Sequence, residues 1–195
     1  MKTIAVTGTP GTGKTTIAKK LAKRLDFYYL DVNRFIKRNK LYEGYDKRRK
    51  TKIVDVRKLN KALMGFIKFF KNKNIENASL LKARSTRTLI KLNIKKITNI
   101  KKNKQKIKGI IIDSHLSHYL PRRYVDFCIV AKCDIKELNK RLKNKKFNKN
   151  KIQENLQSEI FDICHNEAIR RKHKVIIADT AKSFNISSLV RQLGG

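Results

Sequence analysis

The sequence predicts an α/β fold in which helices cover both faces of a parallel sheet. Two observations support this class. First, short continuous apolar runs recur along the chain, as in GIIID at 109–113 and DFCIVA at 126–131. Runs without polar alternation are typical of strands that a parallel sheet buries on both faces. Second, helical patterns separate these runs, and the alternation of strand and helix is typical of α/β proteins.

The first third of the chain begins this alternation. Lys2–Val6 is an apolar, β-branched run that predicts a buried strand, and Thr15–Leu25 has the apolar spacing of an amphipathic helix. Phe27–Leu30 is a second candidate strand. Two helical patterns follow between Asp31 and about Leu63, on either side of a turn-like middle at Tyr42–Thr51.

The second half of the chain continues the alternation. Its predicted strands are 109–113, 126–131 and 174–178, and its predicted helices are 134–143, 151–171 and 186–193. A length of 195 residues with 40% hydrophobic residues suits one domain, 1–195, with a sizeable core. The apolar fraction also argues against a disordered basic tail, although 33% of the residues are charged.

Three features of the sequence bear on the cellular compartment. No apolar run approaches the roughly 18 residues that would span a bilayer. The N-terminus, MKTIAVTG, leads directly into a motif and does not resemble a signal peptide. The three cysteines form no CxxC pair, which suits a reducing compartment and indicates no disulfide or metal framework. We therefore expect a cytoplasmic protein with no membrane partner.

The charge is strongly unbalanced, with 49 Lys and Arg against 15 Asp and Glu and a formal net charge of +34. One interpretation is an anionic partner such as RNA, a ribosomal particle or nucleotides. The other is genomic, because Lys, Asn and Ile are abundant together and share A/T-rich codons. The composition alone leaves both interpretations open.

The segment 71–108 fits the alternation poorly. It holds thirteen Lys or Arg and a single acid, Glu76, with no Gly or Pro. We interpret it as a basic insertion between a helix and the GIIID strand, with a weak helical pattern. It is either a basic arm placed to contact RNA or a solvated surface elaboration.

The strongest motif is Gly8–Thr15, which matches GxxxxGK[ST], the phosphate-binding P-loop, between a predicted strand and a predicted helix. Gly11 and Gly13 allow backbone N–H groups to surround phosphate oxygens, and the helix N-terminus favours anions. Lys14 is expected to reach the β- and γ-phosphates of ATP. The Thr15 hydroxyl is expected to bind Mg²⁺, and Thr16 can donate to the α-phosphate.

Two further candidates follow the GIIID strand. In P-loop proteins an acid at the end of such a strand holds Mg²⁺, usually through a water, and Asp113 occupies this position. His115 lies two residues later. A lone histidine is more often structural than catalytic, so its pattern alone would favour a structural role.

Five segments of the chain together carry a resemblance to a known family. They are GTPGTGKTT at 8–16, LYEGYD at 41–46, IVD at 53–55, IIDSH at 111–115 and KIQENLQSEIFD at 151–162. This set resembles the adenylate kinase isoenzyme 6 family, archaeal and eukaryotic nucleotide kinases linked to maturation of the small ribosomal subunit. The resemblance covers most of the chain except 71–108. It implies a P-loop core of about five parallel strands, an arm that binds the nucleoside monophosphate and a short lid.

The resemblance also implies roles for individual residues. The arm falls on 31–54, and the lid on 144–154. The D-x-H motif of the family falls on Asp113 and His115, which makes His115 a catalytic candidate. Arg141 and Lys145 are expected to neutralise charge on the transferred phosphoryl group, together with Lys14 and Mg²⁺. The residues expected near the acceptor nucleotide are Asp31, Gly44, Tyr45 and Asp46.

The chain departs from the family pattern at several positions. The family usually has R-L-x-x-R-G-Y before the lid, whereas here Lys145, Lys146 and Phe147 stand at the second Arg, the Gly and the Tyr. Lys keeps the charge but lacks the planar two-pronged donor of Arg. Arg34 replaces an acid of the arm. These departures concern catalytic strength and acceptor binding and leave the nucleotide-binding motif intact.

These observations predict an adenylate kinase-type nucleoside monophosphate kinase that uses Mg²⁺ with ATP. The resemblance adds ATPase activity and a role in 30S maturation and 16S rRNA processing, through the ribosomal protein S11 family and rRNA. The alternative is a ribosome-assembly ATPase with vestigial kinase activity, bound to a small-subunit ribosomal protein. A simple RNA-binding module with a structural P-loop is a third possibility.

Overall fold

The computed structural model describes residues 1–47, 51–71, 107–181 and 185–194. Within these ranges the chain forms seven strands and seven α-helices, in the predicted class. The strands are β1 (Lys2–Thr7), β2 (Tyr28–Asp31), β3 (Gly44–Asp46), β4 (Thr51–Ile53), β5 (Gly109–Asp113), β6 (Phe127–Lys132) and β7 (Val175–Asp179). The helices are α1 (Lys14–Leu25), α2 (Val32–Arg38), α3 (Val56–Lys71), α4 (Ile135–Asn144), α5 (Lys149–Ile160), α6 (Ile163–Arg170) and α7 (Ile186–Gln192).

Five of the strands form one parallel sheet in the order β2-β5-β1-β6-β7. From β1 the chain crosses to the edge strand β2, returns to β5 beside β1, and then continues on the other side of β1 through β6 and β7. The connections that leave the neighbouring strands β1 and β5 therefore run in opposite directions. Ligands of open parallel sheets bind at the carboxyl ends of the strands beside such a reversal. Here that edge carries the loop that follows β1, the end of β5 at Asp113 and the residues that follow β7.

Helices cover both faces of the sheet, as predicted. On one face, α1 and α7 pack on Ile4, Val6 and Ile111 of the inner strands. On the other face, α2, α3 and α6 pack on Ala5 and Ile112. The central strand residues are fully buried, which explains why they carry continuous apolar runs.

The aromatic side chains of α3 anchor its last turns near the amino ends of the strands. Phe70 stacks on Tyr28 at the start of β2, with 5.7 Å between ring centroids. At the same edge, the backbone N–H of Lys2 donates to the carbonyl oxygen of Lys108 at 3.1 Å, just before β5. The chain therefore leaves α3 and enters β5 at the edge opposite the P-loop.

Most of the predicted insertion 71–108 lies outside the described residues. Lys71 belongs to α3, and Ile107 and Lys108 lead into β5. Residues 72–106 are not among the described ranges, so the basic arm and its weak helical pattern remain predictions.

Three boundaries differ from the predicted ones. The turn-like middle at 42–51 contains an antiparallel hairpin of β3 and β4, in which Gly44 pairs with Ile53. The helix predicted to end near Leu63 continues to Lys71, because Phe66 and Phe70 extend its buried stripe. The single helix predicted over 151–171 is interrupted at Asp162, which has a left-handed backbone with a φ of 53°.

None of the helices in the described ranges is long and apolar enough to cross a bilayer.

Candidate active site

The loop between β1 and α1 has the backbone that its glycines predict. Gly8, Gly11 and Gly13 have φ values of 138°, 103° and 86°, which residues with a Cβ rarely adopt. Space imposes the same requirement, because a Cβ on Gly8 would lie 2.4 Å from the carbonyl oxygen of Ala131. Gly13 also precedes the first turn of α1. The Thr16 N–H donates to the Gly13 carbonyl oxygen at 2.9 Å, and the N–H groups that precede it in the first turn favour an anion.

A pocket of about 580 Å³ lies over this loop. Seven of the predicted site residues line it: Gly11, Gly13, Lys14, Thr15, Thr16, Arg141 and Lys145. Of the other four lining residues, Asn144 belongs to the predicted lid 144–154, whereas Ile17, Lys20 and Thr180 were not predicted. The structure thus brings the P-loop, the end of α4 and the residue after β7 to one cavity.

Thr180 connects three walls of this pocket. Its hydroxyl donates to the carbonyl oxygen of Thr12 at 2.6 Å and lies 3.1 Å from that of Lys132. The same hydroxyl accepts from Arg141 Nη1 at 3.0 Å, and its backbone carbonyl accepts from Arg141 Nη2 at 2.9 Å. Arg141 Nε in turn donates to Glu137 Oε1 at 2.8 Å. These bonds hold the guanidinium charge at a fixed place in the pocket wall.

Asp113 and Lys14 bring opposite charges together below the loop. Asp113 is only 5% exposed, and the Tyr29 hydroxyl donates to its Oδ2 at 2.7 Å. Burial lowers the pKa of the Lys14 ammonium, Asp113 acts in the opposite direction, and the charge of Lys145 lowers the pKa further. Lys14, Asp113 and Lys145 therefore lie within electrostatic reach of one another.

The donor set fits a hydrated magnesium ion. Asp113 Oδ1 is buried and has no hydrogen-bond partner within the described chain. The described ranges contain no group of three or more His, Cys, Asp or Glu side chains that could hold a metal by themselves. Mg²⁺ commonly needs only one or two carboxylates, with waters and phosphate oxygens completing its shell. Asp113 and the Thr15 hydroxyl could supply the protein part of such a site.

His115 lies in the loop that follows β5. Burial, followed by the charges of Lys14 and Lys151, lowers its pKa from 6.5 to about 4. The backbone of this loop is tied to β1, since Thr7 Oγ1 donates to the His115 carbonyl oxygen at 3.3 Å and Ser117 Oγ donates to that of Val6 at 3.0 Å. A neutral imidazole is therefore held near the P-loop lysine at neutral pH.

The predicted acceptor residues lie apart from this pocket. Asp31 caps α2, where its Oδ1 accepts from the backbone N–H of Arg34 at 3.0 Å and its Oδ2 lies 3.4 Å from Arg34 Nε. Gly44, Tyr45 and Asp46 form β3 of the hairpin, and the Tyr45 side chain is 58% exposed. None of these predicted acceptor residues lines the pocket over the P-loop.

The predicted lid, 144–154, comprises a tight turn and the first half of α5. Lys145 caps the C-terminus of α4, and the Asn148 side chain caps α5 by accepting from the backbone N–H of Lys151. Lys146 has a left-handed backbone with a φ of 54°. This is the position at which the resembled family carries Gly, the residue that adopts such a backbone without strain.

Three residues contact the site's elements without having been predicted. Thr180 could have been anticipated, because the residue after each parallel strand lies at the same edge of the sheet. Tyr29 lies two residues before the end of β2, where no local pattern indicates a role. Glu159 is 7% exposed and accepts from the backbone N–H of Cys133 at 3.0 Å, which fastens α5 to the end of β6.

The chain is similar to known proteins both in sequence and in structure. A family model described as an AAA domain matches residues 4–162. The "Putative adenylate kinase" of Methanosarcina mazei is 33% identical over 177 residues, which is 91% of this chain and 78% of that protein. The adenylate kinase isoenzyme 6 homolog FAP7 of Saccharomyces cerevisiae is 29% identical over 194 residues, which is 96% of this chain and 79% of that protein.

Two solved structures share the fold at low sequence identity. Deoxyadenosine kinase from M. mycoides with bound dATP superposes with a TM-score of 0.50 at 15% identity, over 100% of both chains. TT1252 from Thermus thermophilus gives the same TM-score at 14% identity, over 100% of this chain and 98% of that one. These two likenesses support the α/β fold with a parallel central sheet. The AAA-domain family model covers most of the chain, the M. mazei relative named for an adenylate kinase is 33% identical, and the isoenzyme 6 homolog matches 96% of the chain at 29% identity. The chain therefore belongs to the adenylate kinase isoenzyme 6 family of P-loop kinases.

Proposed function

We propose that the protein transfers the γ-phosphate of Mg-ATP to AMP or another nucleoside monophosphate. The observation that carries this proposal is the pocket over the P-loop, where Lys14 from α1 faces Arg141 and Lys145 from α4 and its C-terminal cap. Phosphoryl transfer needs positioning and charge neutralisation more than covalent chemistry from the protein. Cations on two sides of a phosphate chain meet that need.

Each of the seven predicted residues that line the pocket has a part in this reaction. The P-loop N–H groups that Gly11 and Gly13 make accessible bind the phosphates, and Lys14 neutralises the β/γ oxygens. Thr16 donates to the α-phosphate. Bound Mg²⁺ supplies a further positive charge, and the residues that would hold it are Thr15 and Asp113, the latter through a water. Arg141 and Lys145 stabilise charge as the γ-phosphoryl group leaves ADP.

We further propose that the arm 31–54 carries the acceptor nucleotide. The hairpin places Tyr45 with its ring exposed, so the ring is available to stack on a base. Asp31, Gly44 and Asp46 are the other candidates in the arm. Closure of the arm and of the lid 144–154 over the pocket would exclude water, and exclusion of water favours transfer to a nucleotide over hydrolysis.

ATPase activity follows from the same geometry when water replaces the acceptor. His115 is neutral at pH 7 because its pKa lies at about 4, so its imidazole can accept a hydrogen bond from a water molecule. We propose that it orients this water beside the γ-phosphate. The kinase and ATPase reactions then share Lys14, Arg141 and Lys145 and differ in the group that occupies the acceptor position.

The second candidate is a ribosome-assembly ATPase whose kinase activity is vestigial. The net charge of +34 and the replacement of the usual lid arginine by Lys145 favour it. In this form the protein acts in the cytoplasm on 30S maturation and 16S rRNA processing. It would bind the small subunit through the ribosomal protein S11 family and rRNA.

A coupled assay of ADP formation with Mg-ATP and a panel of monophosphates tests the kinase proposal. Rapid AMP-dependent or other monophosphate-dependent ADP formation, lost in Lys14→Ala, supports it. Slow hydrolysis of ATP that no monophosphate accelerates, but that small-subunit components stimulate, would replace it with the ATPase candidate.

Deletion of 72–106 tests the predicted basic arm. We expect this variant to keep its nucleotide chemistry, since every matched motif lies outside the segment, and to bind rRNA less tightly with a shallower salt dependence. If the affinity for rRNA and its salt dependence are unchanged, the segment is a solvated surface extension that does not contact RNA.

A further inference from the structure

Tyr29 and Asp113 lie on neighbouring strands and meet on one face of the sheet. In the parallel register of β2 and β5, Tyr29 pairs with Ile111 and Asp31 pairs with Asp113. Side chains alternate along a strand, so Tyr29 and Asp113 share a face two residues apart. The face is the one covered by α1, and the Tyr29 hydroxyl reaches along it to donate to Asp113 Oδ2 at 2.7 Å.

This contact places the two oxygens of the buried Asp113 carboxylate in different environments. Oδ2 is occupied by the phenol, whereas Oδ1 is buried with no hydrogen-bond partner within the described chain. A buried carboxylate oxygen without a partner is costly, unless a ligand or a water completes its hydrogen bonding. The phenol therefore leaves one defined oxygen of Asp113 whose hydrogen bonding a ligand or a water can complete.

The alternative position for this carboxylate is against Lys14. The two groups carry opposite charges within electrostatic reach of each other. A carboxylate that turned onto the ammonium would compete with phosphate oxygens for that charge and would withdraw Oδ1 from the metal site. A hydrogen bond from a phenol to a charged acceptor is strong enough to oppose such a rotation.

We propose that Tyr29 is a positioning residue for the magnesium nucleotide: it fixes the Asp113 carboxylate so that Oδ1 meets the hydration shell of Mg²⁺ and Lys14 stays free for phosphate. This inference rests on the proposed function only in requiring that the protein bind Mg-ATP. It does not depend on the identity of the phosphate acceptor.

The chain supplies a matched control at the neighbouring position. Tyr28 points to the opposite face, where its ring packs 6.0 Å from that of Phe66 and 5.7 Å from that of Phe70. Tyr28→Phe and Tyr29→Phe each remove one hydroxyl and keep one ring. They differ in whether the lost hydroxyl reaches Asp113.

Calorimetric titration with ATP, in EDTA and in excess Mg²⁺, tests the proposal. For Tyr29→Phe we expect affinity in EDTA to stay within about twofold of wild type, and the gain on adding Mg²⁺ to shrink about tenfold, the scale of one hydrogen bond to a charged group. Tyr28→Phe should match wild type in both conditions. In an Asp113→Asn background, adding Tyr29→Phe should cause no further loss, because the phenol acts through that carboxylate.

Three results would overturn the proposal. Equal losses of affinity with and without Mg²⁺, or loss of the folded state in Tyr29→Phe, would assign the phenol a purely structural role. An unchanged gain from Mg²⁺ would show that Asp113 orients itself without help. Additive effects in the double variant would mean that Tyr29 acts elsewhere. Because these are binding measurements, they remain decisive if the coupled assay finds no acceptor nucleotide.

Discussion

Thr180 and Thr12 are 168 residues apart in sequence, yet the Thr180 hydroxyl donates to the Thr12 carbonyl oxygen at 2.6 Å. The bond joins the residue after β7, an edge strand of the sheet, to the P-loop that follows its central strand. Thr180 also anchors the Arg141 guanidinium through its hydroxyl and its carbonyl oxygen. One side chain therefore sets the distance between the P-loop and the cation at the pocket wall.

Replacing Thr180 by Val keeps the shape of the side chain and removes the hydroxyl, which donates to Thr12 and accepts from Arg141. We expect the free energy of unfolding to fall by about 1–2 kcal/mol, because partly buried groups on Thr12 and Arg141 each lose a hydrogen bond. ATP affinity should fall several-fold, since Arg141 loses one of its anchors. Urea denaturation and calorimetry measure the two effects. Thr180→Ser keeps the hydroxyl and should stay near wild type; a Ser variant as impaired as Val would contradict this account.

Lys14→Ala removes the ammonium that the P-loop presents to the phosphates. We expect ATP turnover to fall by about a hundredfold or more, the loss typical of an electrostatic group that acts in the transition state. The fold should survive, because the side chain lies at the pocket and contributes little to the core. Lys20→Ala is the control, since Lys20 also lines the pocket but lies outside the motif, and it should cost only a few-fold. Similar losses of ATP turnover in both variants would mean that the total positive charge of the pocket matters more than the position of Lys14 in the P-loop.

His115→Ala tests the proposed role of the imidazole in ATP hydrolysis. We expect hydrolysis to fall by about ten- to a hundredfold, within the usual range for a positioned acid–base group. ATP affinity by calorimetry should change little, because the proposed contact of the imidazole is to the attacking water and not to the nucleotide. The comparison variant, His165→Ala, removes an imidazole from α6 and should leave hydrolysis unchanged. Parallel losses of affinity and turnover in His115→Ala would instead indicate a structural histidine.

Lys145 stands where the resembled family carries Arg, at the pocket wall and within electrostatic reach of Lys14. Lys145→Arg should raise phosphotransfer several-fold, because a planar fork can engage two oxygens and one better contact is worth about 1 kcal/mol. Lys145→Ala should lower it. Thermal stability should stay nearly constant in both, which separates catalysis from folding. If steady-state kinetics find Lys145→Ala equal to wild type, the residue does not reach the phosphates.

His118 makes the fold sensitive to acid. It is 2% exposed, its Nδ1 lies 2.7 Å from Thr7 Oγ1, and burial lowers its pKa from 6.5 to about 4. In the unfolded chain His118 binds a proton below about pH 6.5, whereas in the folded chain it binds this proton only below about pH 4. The contribution of neutral His118 to the free energy of unfolding is therefore complete above about pH 6.5, and it is lost as the pH falls from about 6.5 to about 4. His118 alone should account for about 2 kcal/mol between about pH 7.5 and 5.

Urea denaturation of wild type and His118→Asn at these two pH values checks this prediction. The Asn side chain keeps a polar group near the position of Nδ1 and has no proton to gain in this range. The variant should lose less free energy of unfolding between the two pH values, whatever its stability at pH 7.5. Identical losses in the two proteins would place the acid sensitivity in other groups.

The sequence predicted the parallel core and the strand–loop–helix of the P-loop closely. Fully buried strands such as Gly109–Asp113 leave a continuous apolar run, and the glycine spacing of the loop is dictated by its backbone. The hairpin of β3 and β4 escaped prediction because each strand has only three residues, too few to show a period. The break at Asp162 also left no Gly or Pro signal. An Asp can adopt the left-handed backbone, and there an ion pair joins it to Lys132.

The residues of the candidate site also differ in whether the sequence could predict them. Lys14 and Thr15 could be predicted because a local motif places them, and Arg141 and Lys145 because of the family resemblance. Thr180 was missed although its place after a parallel strand could have indicated it, whereas the contact of Tyr29 arises from the register of strands that are distant in sequence. The acceptor residues of the arm, Asp31 among them, still await a binding measurement.

The attachment points of the chain around residues 72–106 have a consequence for how this protein can vary. The chain leaves α3 beside Tyr28 and returns beside Lys2, at the edge of the sheet remote from the nucleotide. Additions or deletions between these points need not displace Lys14, Asp113 or Arg141. The P-loop site and the segment inserted at this edge can therefore change independently during evolution. The same position offers protein engineers a place to insert a reporter or an affinity tag without disturbing the P-loop.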